Sequence, residues 1–166
     1  MDYNFYRNNF QSVISKISKK QLDDLGLIIS IDEVMESIAL KIYKPEWSSN
    51  PQSPLDATGR IFFSIWVNDK GIQEGKLYYN IHAFKLRTFK GYKIASRNFA
   101  ERFRERFITE MDNWPNVSIQ YGPLTLMEGW SELKIDHIEK ETAKWVQQFL
   151  DISFIIDETL EHYKVQ

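Results

Sequence analysis

The fold of this chain is decided by RIFFSIWVN, at residues 60–68, and by KLYYNIHAFKL, at residues 76–86. Both segments are rich in aromatic and β-branched side chains, which are typical of strands. Turn-forming residues separate them, because Asn68 to Gly71 and then Gly75 lie between the two segments. The sequence therefore predicts a β-hairpin with strands at 60–68 and 76–86.

Each predicted strand has two different faces, because successive side chains of a strand point to opposite sides. One face is apolar and is expected to lie in the core: Ile61, Phe63, Ile65, Val67, Leu77, Tyr79, Ile81 and Ala83. The other face mixes aromatic and polar side chains: Phe62, Ser64, Trp66, Asn68, Tyr78, Asn80, His82 and Phe84. A register that opposes Asn68 to Lys76 sets three further cross-strand pairs on this mixed face: Trp66 with Tyr78, Ser64 with Asn80, and Phe62 with His82.

Helices are predicted on both sides of the hairpin. Residues 4–20 carry an apolar stripe at helical spacing, and so do residues 97–111, for which Ser96 is the predicted N-cap. A long helix is predicted from about Asp136 to His162, with a break expected near residues 151–153. Short strands are predicted at Val117–Tyr121 and Leu124–Met127, on either side of Gly122 and Pro123.

Residues 30–43 allow two interpretations. Ser30 to Glu33 has the form of a capping box, and apolar residues continue a helical stripe as far as Ile42. A strand over Ile38–Tyr43 is the alternative, but the cap and the longer stripe favour a helix that Pro45 would end. The irregular stretch that follows, at residues 45–59, is expected to form a loop.

These elements together predict an α+β fold in a single domain that spans residues 1–166. Its centre is a small antiparallel sheet built on the aromatic hairpin. The N-terminal helices and the long C-terminal helix are expected to pack against the apolar face of the hairpin.

Composition excludes several classes of function. The chain has no cysteine, which excludes disulfides, thiol catalysis and Cys-ligated zinc. No apolar run approaches the roughly 20 residues that cross a bilayer, and the N-terminus lacks the apolar stretch of a signal peptide. These observations predict a soluble, cytoplasmic protein. The sequence contains no glycine-rich nucleotide-binding motif and no metal-ligand spacing of its three histidines, so no cofactor and no metal are expected.

The mixed face of the hairpin is the first candidate site. Aromatic rings interleaved with hydroxyl, amide and imidazole groups are suited to contact with a ligand or a protein partner. The candidate residues are Phe62, Ser64, Trp66, Tyr78, Asn80 and His82. The alternative is that a helix of the same chain covers this face and satisfies its polar groups internally.

A basic segment is the second candidate. Residues 85–106 carry eight cations against two carboxylates, whereas residues 107–166 carry eleven carboxylates against four cations. Positive charge at a helix entrance adds to the positive end of the helix dipole, and phosphate or carboxylate groups bind at such places. The candidate anion-binding residues are Lys90, Lys93, Ser96, Arg97 and Arg102. The alternative is that the basic segment packs beside the acidic one, or that its side chains extend into water.

A non-enzymatic binding or protein-interaction domain is the function that these observations favour. Phosphate or nucleic-acid binding through the basic segment is the alternative, although a pI near 5.9 does not favour nucleic acid. An enzyme that uses His82 as an acid or base is a third hypothesis. It lacks a recognisable catalytic motif, because no partner for His82 is evident in the sequence.

Overall fold

A five-stranded antiparallel sheet forms the centre of the computed structural model, which describes all 166 residues. Its strands follow one another in chain order: β1 (Ile28–Val34), β2 (Ser37–Tyr43), β3 (Arg60–Asn68), β4 (Lys76–Phe84) and β5 (Thr125–Glu132). The structure is 49% helical and 27% strand, so the predicted α+β class is confirmed.

Five helices accompany the sheet: α1 (Tyr3–Lys16), α2 (Lys19–Leu25), α3 (Asp69–Glu74), α4 (Ser96–Phe107) and α5 (Ile138–His162). Three of them begin at a side chain that accepts a backbone N–H, which is the usual role of an N-cap. The caps are Asp2 for α1, Ser18 for α2 and Asn68 for α3. No helix combines the length and the apolar character that crossing a membrane requires.

The core lies between one face of the sheet and helices α1, α4 and α5, and we call this side of the sheet the core face. The eight hairpin residues predicted for the core are all buried there. Aromatic rings dominate the centre, where Phe63 stacks on Phe149 of α5 at a centroid distance of 4.7 Å. Tyr79, Trp114 and Trp145 pack beside them. The buried apolar side chains form one continuous cluster of 37 residues.

The helix predicted over residues 31–42 is wrong. Ser30 and Glu33 lie within β1, and the alternative strand at Ile38–Tyr43 is observed as part of β2. A two-residue turn joins the strands, with positive φ angles of 49° at Met35 and 63° at Glu36. Such a turn has the twist that antiparallel strands need, so a hairpin forms although neither turn residue is glycine. Burial of β2 on both faces removed the alternation that would have identified a strand.

The central hairpin has the predicted register: Trp66 opposes Tyr78, Ser64 opposes Asn80, and Phe62 opposes His82. Its connection is not a tight turn, because α3 occupies residues 69–74. The second strand of the hairpin ends at Phe84, two residues before the predicted end.

Four further boundaries differ from the sequence-based expectations. Ser96 is the first residue of α4, and Ala95 precedes it without a side-chain cap. α4 ends at Phe107 and continues as a 3-10 turn to Asn113. α5 is unbroken through residues 151–153. Residues 117–121 contribute only a bridge from Ser118 to Glu128, whereas β5 extends to Glu132.

Arg104 fixes the connection between α4 and β5. Its guanidinium donates to the backbone carbonyl oxygens of Tyr121, Gly122, Thr125 and Leu126 at 2.9–3.1 Å. Nε donates to Leu126, and the two hydrogens of one terminal nitrogen are shared among the other three carbonyl oxygens. Arg104 therefore holds this loop in the conformation that leads the chain into β5.

Candidate functional site

The mixed face of the hairpin is part of a larger surface that extends over the whole sheet, and we call it the open face. Helices α1 and α5 make their ring contacts, ion pairs and hydrogen bonds with the sheet on the core face, whereas Arg104 of α4 bonds the backbone of β5. Examples are Phe63 with Phe149, Trp145 with Ser131, and Arg7 with Glu33. The alternative that a helix covers the mixed face is therefore not observed, apart from short α3, which lies against Tyr78 at one end.

A polar row crosses the middle of the open face from β2 to β5. Strand pairing places Lys41, Ser64, Asn80 and Glu128 side by side in that order. Lys41 Nζ lies 2.9 Å from a carboxylate oxygen of Asp32 on β1, and Asn80 Nδ2 donates to Glu128 Oε1 at 3.0 Å. The row thus has a cation, Lys41, at one end and a carboxylate, Glu128, at the other, with two neutral side chains between them.

Aromatic side chains lie on both sides of the polar row. On one side Trp66 stacks on Tyr78 at a centroid distance of 4.4 Å and an interplanar angle of 18°. Tyr78 in turn opposes Trp130, whose ring lies 4.6 Å from Lys76 Nζ. On the other side His82 packs between two phenylalanines, at 5.3 Å from Phe62 and 5.1 Å from Phe84.

The six predicted ligand-binding residues divide into two groups by exposure. Trp66, Tyr78 and His82 are half-buried and reach the surface. Phe62, Ser64 and Asn80 are only 3–4% exposed. No helix encloses the second group, so their larger neighbours on adjacent strands shield them. A contacting molecule would therefore meet Trp66, Tyr78 and His82 before Phe62, Ser64 and Asn80.

Unpartnered polar atoms are concentrated on the open face. Five buried side-chain nitrogen or oxygen atoms of the structure have no hydrogen-bond partner. Four of them belong to open-face residues: Ser30 Oγ, Arg60 Nε, Asn80 Oδ1 and His82 Nδ1. Buried polar groups are normally hydrogen-bonded, because an unmade bond costs about 1–3 kcal/mol. This face therefore retains hydrogen-bonding capacity that the chain itself does not use.

The pKa of His82 is lowered from its ordinary value. Burial lowers its pKa most, the Leu124 carbonyl and Glu128 oppose that effect, and Lys41 and Arg60 lower the pKa further. A histidine whose pKa is lower in the folded state than in the unfolded chain favours folding most above the unfolded pKa of about 6.5. Its contribution to stability is lost as the pH falls from that value through the folded pKa.

Sequence reasoning missed several residues of this surface. Lys41 was overlooked because β2 was predicted to be helical, and Glu128 and Trp130 because β5 was predicted to end at Met127. The signal was present in β5, since Glu128, Trp130 and Glu132 alternate with Met127, Gly129 and Ser131. Asp32 and Arg60 also belong to the face and could be placed only once the strands were paired.

The basic segment forms a separate surface. Lys90, Lys93, Arg97 and Arg102 are exposed, Ser96 is half-buried, and none of the five takes part in an ion pair. Arg102 does not join the others, because five helical residues rotate it about 140° from Arg97. It instead borders a cleft between α4 and α5 with Glu105 and Glu158. The C-terminal residues fix the loop before α4, since Lys93 N donates to Tyr163 O at 2.9 Å.

No group of three histidine, cysteine, aspartate or glutamate side chains lies close enough together to hold a metal ion. The chain matches no protein-family model, no curated protein and no solved structure. A function must therefore be argued from the geometry of the open face and of the basic segment.

Proposed function

We propose that this chain is a binding module that holds a protein partner on its open face. One observation carries the proposal: a sheet face free of long helices combines half-buried rings of Trp66, Tyr78 and Trp130 with buried, unpartnered atoms of Asn80 and His82. Aromatic side chains are enriched at protein interfaces, where they contribute large contact area at low cost in conformational entropy.

The shape of the open face supports a protein rather than a small molecule. Small ligands bind in concave cavities, but the clefts of about 280–500 Å³ beside α1, α2, α4 and α5 are not lined by Trp66, Tyr78 or His82. The charges argue against a polyanion, because Asp32, Glu128 and Glu132 lie among the cations of this face. A broad, nearly neutral surface with aromatic rings fits the surface of another protein.

Trp66 and Tyr78 are expected to dominate the affinity, because stacked aromatic residues are frequent hot spots of protein interfaces. The double substitution Trp66→Ala and Tyr78→Ala should weaken binding of a purified partner by about 30-fold or more, equivalent to about 2 kcal/mol. The partner would first be enriched from an extract of cells that produce the chain, and its affinity would then be measured by calorimetry.

Ile108→Ala is the matched control, because Ile108 is an exposed apolar residue at the end of α4, away from the open face. It should retain the affinity of the unchanged chain. Circular dichroism and thermal melting would establish that each variant is folded. A partner that binds the double variant as tightly as the Ile108→Ala variant would contradict the proposal.

The second candidate function is anion binding by the basic segment. Its support is the set of exposed, unpaired cations Lys90, Lys93 and Arg97 around the start of α4. If these three neutralise three phosphates of a single-stranded oligonucleotide, affinity should fall roughly 20-fold between 50 and 200 mM salt. Fluorescence anisotropy with a labelled oligonucleotide, and with free phosphate as competitor, measures this.

Lys93→Glu combined with Arg97→Glu should abolish the salt-dependent binding, whereas Lys20→Glu, which changes an exposed cation on α2, should leave most of it intact. Binding that does not respond to salt, or an absence of binding at low salt, would reject this second function. Neither result bears on the open-face proposal, which is tested separately by the Trp66 and Tyr78 variants.

A further inference from the structure

The two edges of the sheet differ in what covers them. The outer edge of β5 is occupied by the loop before it, because Ser118 and Glu128 exchange backbone hydrogen bonds of 2.8 and 3.0 Å. Asn116 Nδ2 also donates to the carbonyl oxygen of Trp130. The outer edge of β1 has no such cover, and none of its residues makes a backbone hydrogen bond beyond those to β2.

Strand β1 lacks most of the features that usually protect an edge, and its two charged residues, Asp32 and Glu33, are each paired with a cation of the same chain. Its seven residues, IISIDEV, contain no proline, no lysine and no glycine, and its pairing with β2 is regular throughout. Natural edge strands are commonly shortened, bulged or blocked by lysine or proline, because a free edge is a template for another strand. Beside this edge α1 contacts β1 through the ion pair of Arg7 with Glu33, and a cleft of about 500 Å³ remains next to Ile29 and Ile31.

The turn between β1 and β2 determines which backbone groups are free. In a hairpin with a two-residue turn, the pair next to the turn exchanges both backbone hydrogen bonds, and that pair is Val34 with Ser37. Bonded and non-bonded residues alternate along an antiparallel pair, so Ile29, Ile31 and Glu33 direct their N–H and C=O groups away from β2. The free groups are therefore centred on Ile31.

We propose that two copies of this chain pair antiparallel along β1 with Ile31 on the two-fold axis. In this register each residue of β1 faces a residue of the second copy: Ile31 faces Ile31, Ile29 faces Glu33, Ile28 faces Val34 and Ser30 faces Asp32. About six backbone hydrogen bonds form, two by Ile31 and four by Ile29 and Glu33 of the two copies. The two sheets become one continuous sheet with an isologous interface.

Side-chain chemistry selects this register over its neighbours. The Ser30 hydroxyl, which has no partner in its own chain, meets the Asp32 carboxylate of the second copy. Ile28, one of the exposed large apolar side chains, gains Val34 as a neighbour. Centring on Asp32 or Glu33 instead would oppose two like charges, which destabilises a strand pair. In the Ile31 register each acid keeps its own cation, Lys41 for Asp32 and Arg7 for Glu33.

Pairing along β1 leaves the open face uncovered, because the new hydrogen bonds lie in the plane of the sheet. Both open faces then lie on the same side, since the two-fold axis is perpendicular to the sheet. A dimer of this kind would present two copies of the open face to a partner, and binding that uses both gains avidity.

Cysteine cross-linking tests this inference, because the chain contains no cysteine of its own. In the Ile31 register the two Cα atoms at position 31 lie about 5.5 Å apart, within the range that a disulfide spans. The Ile31→Cys variant should form a covalent dimer under mild oxidation. The Met35→Cys variant, altered at a turn residue that is 93% exposed, should remain uncross-linked because position 35 is distant from its own copy.

In light scattering the unmodified chain should show the mass of a dimer by the time its concentration is raised to about 100 µM. Ile31→Pro should raise the dimer dissociation constant at least tenfold while the circular dichroism spectrum is kept, because the Ile31 N–H makes no bond inside the chain. If the proline prevents folding, the cross-linking of Ile31→Cys alone tests the inference. A monomer throughout this range, or a dimer whose Ile31→Cys variant does not cross-link, would overturn the inference.

Discussion

Replacing Trp145 by alanine is expected to lower the free energy of unfolding by about 3–5 kcal/mol, the range typical of a buried aromatic ring. Trp145 lies on α5 and is fully buried against the sheet, with ring contacts to Tyr79 at 5.1 Å and Trp114 at 5.5 Å. Its indole N–H also donates to Ser131 Oγ at 2.9 Å. The substitution leaves a cavity and a buried hydroxyl without its partner, and both effects destabilise the fold.

Phe154→Ala is the matched control for this substitution. Phe154 lies on the same helix, so both changes replace an aromatic residue by alanine in α5, but Phe154 is 38% exposed. Its loss should cost less than about 1 kcal/mol. Urea denaturation followed by circular dichroism measures both variants. Equal losses in the two variants would show that the ring cluster around Trp145 does not stabilise the core as described.

Gly129→Ala is expected to destabilise the protein by about 1–3 kcal/mol, the usual cost of an overpacked core position. A Cβ at this position would lie 2.8 Å from the Tyr79 ring and 2.9 Å from the Val117 Cα atom. Tyr79 cannot move aside freely, because it is buried and its hydroxyl donates to the Pro115 carbonyl. Glycine therefore allows the chain at residues 115–117 to cross close to β5.

Gly122→Ala should instead raise the free energy of unfolding. A Cβ at Gly122 meets no atom within 4 Å, and its φ angle is not positive. The substitution reduces the conformational freedom of the unfolded chain and should stabilise the protein by about 0.4–1 kcal/mol. The two alanine variants are compared in one series of urea transitions. A Gly129→Ala variant as stable as Gly122→Ala would contradict the close approach of Tyr79 and Val117 to β5.

The central hairpin was predictable because its signal is local. Side chains alternate along a strand, and each of its strands has one face that is apolar throughout. The predicted pairs of Trp66 with Tyr78 and of Ser64 with Asn80 are present, even though α3 replaces the expected turn. Helix α5 was predictable for the same reason, since its apolar stripe keeps a helical period.

The first hairpin was not predictable in this way. β2 is buried on both faces from Ile38 to Tyr43, and apart from Lys41 its residues there are apolar, so the sequence shows no clear period of two. A short run of this kind fits a strand or a helix, and only its place between β1 and β3 decides. The same error hid Lys41 and Asp32, which are recognisable as open-face residues only when β1 and β2 are strands.

Sequence alone determined which side chains of β3 and β4 share a face, because that follows from the geometry of a single strand. It did not determine what lies over each face or beside each edge. Those features depend on residues far apart in the chain: Glu128 comes to Asn80, the loop at 116–118 covers β5, and the edge of β1 stays free. The tertiary structure therefore decided where a partner can bind, because exposure is a property of the packed chain and not of any segment.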